Sequence, residues 1–273
     1  MSNRFPVVAV TGAAGALGSA VIRHLANRSA VIAVTRRPQA VAAAPHRASE
    51  HAPRSPGRGP EPAVEVRQAD FDDIGPAAFA GATAALIVST DHRDNGHRIA
   101  QHRAAVDAAV AAGVRHVVYT SLTGCDGPPD LLNAAHRETE AHLRACGAGW
   151  TALRNNLYTE GLAAAETVAA ATGRHVTNTG PGKVAYVDRD HCAAVAAGVL
   201  LGAPQGVVEV HGPVALDAAA LAARFAAHLG RPVEPVLLDD DAYRAHLLAG
   251  GAPPGLAEAL VLLGQAVRAG VYG

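Results

Sequence analysis

Residues Thr11-Gly12-Ala13-Ala14-Gly15-Ala16-Leu17-Gly18 set three glycines at intervals of three, directly after the apolar run PVVAV and at the start of a helical pattern. In that context each glycine has a physical task. Gly12 permits a tight turn, Gly15 lets backbone approach an anion closely, and Gly18 lets the helix pack against the strand. Thr11, Ala16 and Leu17 complete the loop. A helix N-terminus offers free N–H groups and a partial positive charge, which suits phosphate. The loop therefore predicts binding of the pyrophosphate of a dinucleotide.

A second set of residues sharpens that reading. The run AVIAVTRR ends in Thr35-Arg36-Arg37, where a site selective for NAD usually carries an acid for the ribose 2′-hydroxyl. Two arginines stand there instead. A guanidinium matches the 2′-phosphate of NADP, so Arg36 points to NADPH as cofactor. The alternative is that both arginines only close the strand end. Asp70, followed by Phe71, ends the third strand on the adenine side. Ser89 and Thr90 end the fourth, Thr120 and Ser121 the fifth, and Arg154 and Asn155 the sixth. Strand ends are where ligands bind in open α/β sheets.

The elements that must position these residues alternate. Short apolar strands (PVVAVTG, AVIAVTRR, VEVRQAD, AALIVST, RHVVYTSL, WTALRN) are separated by helical patterns, among them IAQHRAAVDAAVAAG closed by Gly113 and NAAHRETEAHLRACG closed by Gly147. Near-continuous apolar strands alternating with helices predict an α/β Rossmann fold, a doubly wound parallel sheet covered on both faces. After about residue 155 the pattern loosens. VTNTG, KVAYVD, GVVEVHG and PVEPVLLD read as short strands, and RDHCAAVAAGVLLG, LDAAALAARFAAHLG and PGLAEALVLLGQAV as helices. The expected organisation is a dinucleotide-binding domain over 1–154 and a smaller α/β region over 155–273 that covers the substrate. Residues 43–63 hold five Pro without apolar periodicity and read as a dispensable surface excursion.

Composition narrows the class. The 273 residues are 49% hydrophobic and 17% charged, with a formal net charge of −1. A sizeable core is available, and no charge imbalance points to nucleic acid or a membrane surface. Cys125, Cys146 and Cys192 are scattered and odd in number, which argues against a disulfide framework and a zinc site, so no metal is expected. The histidines, including His24, His102 and His116, fall singly and read as solvated or hydrogen-bonded groups. The opening MSNRFPVVAV enters a strand at once and no run reaches the roughly 20 apolar residues of a membrane span. The expected location is cytoplasmic. The oligomeric state, monomer or homodimer, stays open.

One expected feature is missing. Many short-chain reductases carry Tyr-x-x-x-Lys on the helix after the fifth strand, where Tyr protonates a carbonyl oxygen and Lys lowers its pKa. Here those positions are His136 and Glu140. An ordinary ketone reductase would lack its acid.

The stretches VTGAAGALG, QHRAAVDAAVAAGVRHVVYTSL, HRETEAHL, LRNNLYTE and GKVAYVDRDHCAAVAAGVL resemble the NmrA-like, atypical short-chain dehydrogenases. Within them they are most similar to the branch of NAD(P)H:quinone oxidoreductase type 2 and triphenylmethane reductase. The resemblance runs to about residue 200 and, more loosely, to about 270. It implies NADPH at the glycine loop and Arg36, and a small conjugated acceptor over the nicotinamide. It also implies that His136 and the Asn155–Tyr158 segment line the substrate cleft. The 43–63 link looks longer than in the family, and relatives continue beyond the point that matches Val271-Tyr272-Gly273.

Quinones, cationic dyes and iminium ions accept hydride with little acid assistance, so proximity and orientation suffice. His136, with the unperturbed histidine pKa near 6.5, suits proton delivery. Three functions fit: an NADPH-dependent reductase of quinones or similar acceptors, a C=N or C=C reductase of a biosynthetic pathway, and an NAD(P)-sensing regulator without turnover.

Overall fold

The computed structural model describes residues 6–42, 63–127 and 130–273, so positions 43–62 of the proline-rich excursion lie outside the described residues. The chain groups into two units that interleave in sequence. The first draws on residues up to Ser121, Glu138–Leu153 and Arg189–Val208, and the second on Leu122–Arg137, Arg154–Asp188 and Glu209–Gly273.

The first unit is built on strands β1 (Val7–Val10), β2 (Ala30–Thr35), β3 (Val64–Gln68), β4 (Ala84–Ile87), β5 (His116–Leu122), β6 (Gly149–Asn155) and β8 (Gly206–Val210). They form one seven-stranded sheet in the order β3-β2-β1-β4-β5-β6-β8. β1 pairs in parallel with both β2 and β4, β2 with β3, and β4 with β5. The sheet is thus the expected Rossmann arrangement, and its order reverses between β1 and β4, where such folds bind ligands. Helices α1 (Ala16–Leu25), α2 (Pro38–Ala42), α3 (Asn95–Ala111), α4 (Ala134–Ala145) and α6 (Arg189–Leu200) connect the strands. The side chains of Ile32, Val34, Phe79, Ile87, Val106, Val117, Tyr119 and Leu143 make a continuous core. Strands β1, β2, β4 and β5 are buried on both faces, which explains why their apolar runs lack alternation, whereas edge strand β3 is largely exposed. Gly113 ends α3 with φ +84° and donates its N–H to the Val110 carbonyl, the left-handed stop expected of glycine there.

The second unit holds α5 (Ala163–Thr172), α7 (Ala218–Leu229), α8 (Asp240–Ala249) and α9 (Pro254–Arg268), with a two-stranded parallel sheet of β7 (Arg174–Thr177) and β9 (Glu234–Leu237). Ala169, Leu221, Ala222, Phe225 and Val233 form its small core. Asp217 and Asp239 cap α7 and α8 by accepting the Ala220 and Ala242 N–H groups, each at 2.8 Å.

Two expectations are corrected. KVAYVD is not a strand: Val184 bridges to Leu216 and Val187 to Tyr158, one residue at a time against different segments, so no ladder forms. GVVEVHG, read with the second half, supplies β8 of the main sheet. Helices α5 and α8 were not anticipated. Alanines all round α5 give no apolar stripe to read.

Candidate active site

The glycine loop is shaped by its neighbours. The Thr11 N–H donates to the Leu86 carbonyl (2.9 Å), and Thr11 Oγ1 accepts the Val88 N–H (2.8 Å), so the ends of β1 and β4 are tied together. Gly12 sits at φ +59°, a left-handed conformation that an L side chain adopts at a cost. A Cβ on Gly18 would lie 2.3 Å from the Gly12 carbonyl oxygen, so helix and loop can close only around glycine. Gly15 is the N-cap of α1, no side chain caps the helix, and its first turn carries no acid. The first-turn N–H groups have no partner within a helix by construction. Gly12, Gly15 and Ala16 are exposed while Leu17 and Gly18 are buried. The loop therefore presents backbone donors outward and anchors itself inward, which is an anion cradle.

Arg36 follows β2 with its side chain 73% exposed, and its nearest acid is Asp70 at 3.8 Å. An exposed pair at that distance contributes on the order of 0–1 kcal/mol, so it yields readily to a phosphate. The Thr35 hydroxyl accepts the Arg37 N–H at 3.1 Å and fixes the turn. Arg36, Gln68, Ala69, Asp70, Asp73 and Gly75 line an open cavity of about 490 Å³. Phe71 packs against the sheet core beside it. From α3, Gln101 Nε2 donates to Asp72 at 2.7 Å, and the Asp72 N–H donates to Asp70 at 3.3 Å, so the loop after β3 is held in shape.

At the ends of β4 and β5 the Ser89 N–H donates to Thr120 Oγ1 (2.8 Å), and the Thr120 hydroxyl donates to Ser89 Oγ (3.2 Å). Ser121 Oγ donates to Glu140 Oε1 at 2.6 Å, and Arg144 donates to Glu140 Oε2 at 2.9 Å. Glu140 is 1% exposed. The residue in the lysine position is thus a buried carboxylate engaged by a serine and an arginine.

Four expected site residues fall in the second unit. His136 is buried in α4. Arg154 is buried with its guanidinium clamped by Asp126 (2.6 and 2.9 Å) and Glu209 (3.2 Å). Asn155 donates its Nδ2 to Tyr158 Oη at 3.0 Å, and its Oδ1 is buried without a hydrogen-bond partner. The other expected residues, Thr11 to Gly18, Arg36, Asp70, Phe71, Ser89, Thr90, Thr120 and Ser121, all belong to the first unit. His102 in α3 is fully buried and accepts the Thr90 N–H, and its sequence signal is only a histidine in an alanine-rich helix.

Comparison with known proteins settles the family. The NAD(P)H-binding family model matches residues 12–202. The chain belongs to this family. It is 34% identical over 264 residues to quinone oxidoreductase 2 of Escherichia coli, covering 93% of this chain and 85% of that one. A crystal structure of Escherichia coli quinone oxidoreductase QOR2 with NADPH superposes with TM-score 0.83 at 33% identity, covering 97% and 90% of the two chains. The Citrobacter sp. triphenylmethane reductase complexed with NADP(H) gives 0.81 at 30%, covering 97% and 91%. A reductase of Streptomyces griseus named for (4-alkanoyl-5-oxo-2,5-dihydrofuran-3-yl)methyl phosphate is 31% identical, covering 97% and 88%. The branch is the one that the sequence motifs indicated. Among the described residues no helix is long and apolar enough to cross a membrane, and no cluster of His, Cys, Asp or Glu could hold a metal ion.

Proposed function

We propose that this protein is an NADPH-dependent reductase that transfers hydride to a quinone or a similar conjugated small molecule. The observation that carries the reading is Glu140. In the lysine position of the usual acid pair stands a buried carboxylate already bonded to Ser121 and Arg144, so no lysine is there to acidify a phenol. An acceptor that takes hydride without strong acid assistance fits that chemistry. NADPH, when bound, supplies the hydride from its nicotinamide ring. The glycine loop and the N-terminus of α1 hold the pyrophosphate, and Arg36 selects the 2′-phosphate. Asn155 and Tyr158, joined by the Asn155 Nδ2–Tyr158 Oη hydrogen bond, orient the acceptor. His136 delivers the proton that follows. The two relatives named as quinone and triphenylmethane reductases support the acceptor class.

A second reading is a C=N or C=C reductase of a biosynthetic pathway; in its favour, the Streptomyces griseus relative is named as a reductase of a dihydrofuranone phosphate rather than of a quinone. NADPH oxidation followed over quinones, cationic dyes, unsaturated lactones, cyclic imines and simple aryl ketones separates the readings. Quinones and dyes are expected to turn over and simple ketones to fail. Ketones outrunning quinones overturn the proposal. Tight NADPH binding with no turnover on any substrate leaves the regulator.

A further inference from the structure

β4 ends at Ile87, and the three backbone N–H groups that follow are each taken by a side chain from a different element. Val88 donates to Thr11 Oγ1 at 2.8 Å, Ser89 to Thr120 Oγ1 at 2.8 Å, and Thr90 to His102 Nε2 at 2.9 Å. Thr11 follows β1, Thr120 lies in β5 and His102 in α3, so the clamp gathers three elements at the point where the strand order reverses.

His102 is the outermost jaw, and its protonation follows from geometry. An amide N–H can only donate, so Nε2 must be unprotonated. A neutral ring then carries its proton on Nδ1, which lies 3.0 Å from Thr139 Oγ1 on α4 and 3.2 Å from Tyr119 Oη on β5. The hydroxyl of Thr90 also approaches Nε2, at 3.2 Å. Both ring nitrogens are used, and the ring is completely buried.

We propose that His102 is a positioning residue for the nicotinamide end of the cofactor, holding the Ser89–Thr90 segment through the Thr90 amide; this rests on the dinucleotide reading of the site. With its three amides consumed, the segment meets a ligand with hydroxyls and carbonyl oxygens. Its hydroxyls both donate and accept and its carbonyls accept, which suits ribose hydroxyls and a carboxamide. The glycine loop, which offers amide donors, takes the phosphates. The two loops thus divide the cofactor by the groups they present, backbone amides at one and side-chain hydroxyls with backbone carbonyls at the other.

The test compares His102→Leu with His102→Gln, whose amide oxygen can still accept the Thr90 N–H. NADPH and adenosine 2′,5′-bisphosphate, which lacks the nicotinamide end, are titrated against each. His102→Leu is expected to weaken NADPH by about ten-fold or more, the effect of one unsatisfied buried donor, and to leave the bisphosphate within about two-fold. His102→Gln is expected to restore most of the NADPH affinity. Nitrogen-15 spectra of the wild type should show Nε2 unprotonated and Nδ1 protonated. Equal loss of both ligands, no loss of either, no rescue by Gln, or a protonated Nε2 overturns the proposal. Should His102→Leu not fold, Thr139→Val removes one partner of Nδ1 and is read by the same two titrations, with the same split expected at smaller size. If the wild type binds no NADPH, the dinucleotide reading itself fails. Hydrogen exchange at the Thr90 amide then still decides the clamp: protection kept in His102→Gln and lost in His102→Leu supports it, and equal exchange refutes it.

Discussion

The glycine loop and the segment after β4 lie at the ends of adjacent parallel strands, yet they treat their backbone in opposite ways. At the loop, α1 begins with an uncapped turn and Gly15 as N-cap, so donors are left open. After β4, Val88, Ser89 and Thr90 have their donors filled by Thr11, Thr120 and His102. The same contrast extends to side chains. Arg36 is exposed and loosely paired, whereas Glu140 is buried between Ser121 and Arg144. An open backbone donor is tolerable only where water or an anion can reach it; a closed one gives shape. One region thus leaves donors for a ligand to satisfy, and the other takes its shape from donors already satisfied.

The comparison breaks most severely at Gly18. A side chain there meets the Gly12 carbonyl at 2.3 Å, and the atom in the way is backbone. Gly18→Val should abolish measurable NADPH binding and cost about 1–3 kcal/mol of stability through overpacking. Fluorescence titration and thermal melting check the two halves of that expectation; a variant that binds normally would show that the loop does not close around Gly18. Next in size is Arg36→Ala. Losing one charged hydrogen-bonding partner should weaken NADPH by about 1.5–3 kcal/mol and leave NADH nearly unchanged. Equal weakening of both would remove the 2′-phosphate from Arg36.

The closed region should respond in the other currency. Glu140→Leu strands the Ser121 hydroxyl in the interior, which should lower stability by about 1–3 kcal/mol. Arg144, 45% exposed, can turn to water, so its loss adds little. NADPH affinity should stay within about three-fold, a shift below 1 kcal/mol. A large affinity loss without a stability loss would make Glu140 part of the binding site, and the division between open and closed regions would fail.

Much of the open region was legible in the sequence because its requirements are local. Gly12 is demanded by a left-handed turn and Gly18 by a packing contact, both within the same short loop. The sheet was legible for a similar reason, since strands buried on both faces leave unbroken apolar runs. The closed region was not legible in the same way. His102 matters because Thr90, Tyr119 and Thr139 converge on it from three other segments, up to 37 positions away in the chain. No local pattern encodes such a meeting, so a histidine among alanines reads as ordinary. Arg154 shows the same limit: its place at a strand end suggested a ligand, while Asp126 and Glu209 already occupy its guanidinium. In the second unit, KVAYVD had the composition of a strand but pairs only at single residues, because its neighbours change from Leu216 to Tyr158 within a few positions.

The smallest effect expected concerns pH, and it separates the two ends of β5. Tyr119, Thr120 and Ser121 lie toward the carboxyl end of the strand, and His116 begins it. Burial lowers the pKa of His116 below the ordinary value of 6.5, partly offset by a hydrogen bond with the Gly202 backbone. Its Nε2 lies 2.9 Å from Thr151 Oγ1. The half-buried ring of His175 is shifted the same way by the same cause. As pH falls below 6.5 the unfolded chain takes up protons at these positions while the folded chain resists, so stability drops through that window and is recovered as pH rises. Each such histidine contributes a slope of at most about 1.4 kcal/mol per pH unit. Asp240 acts in a separate, more acidic window. The bonds it accepts from Arg268, Asn178 and Gln265 hold its carboxyl below the usual 3.8, so its contribution is lost only when pH falls under that value. His116→Gln can keep a hydrogen bond to Thr151 and has nothing to titrate. Its melting temperature should therefore fall less steeply than that of the wild type between about pH 7.5 and about pH 5.5, while its NADPH affinity stays unchanged. Parallel melting curves would show that His116 is protonated equally in both states, and a change in NADPH affinity would mean that the far end of β5 is coupled to the cofactor end after all.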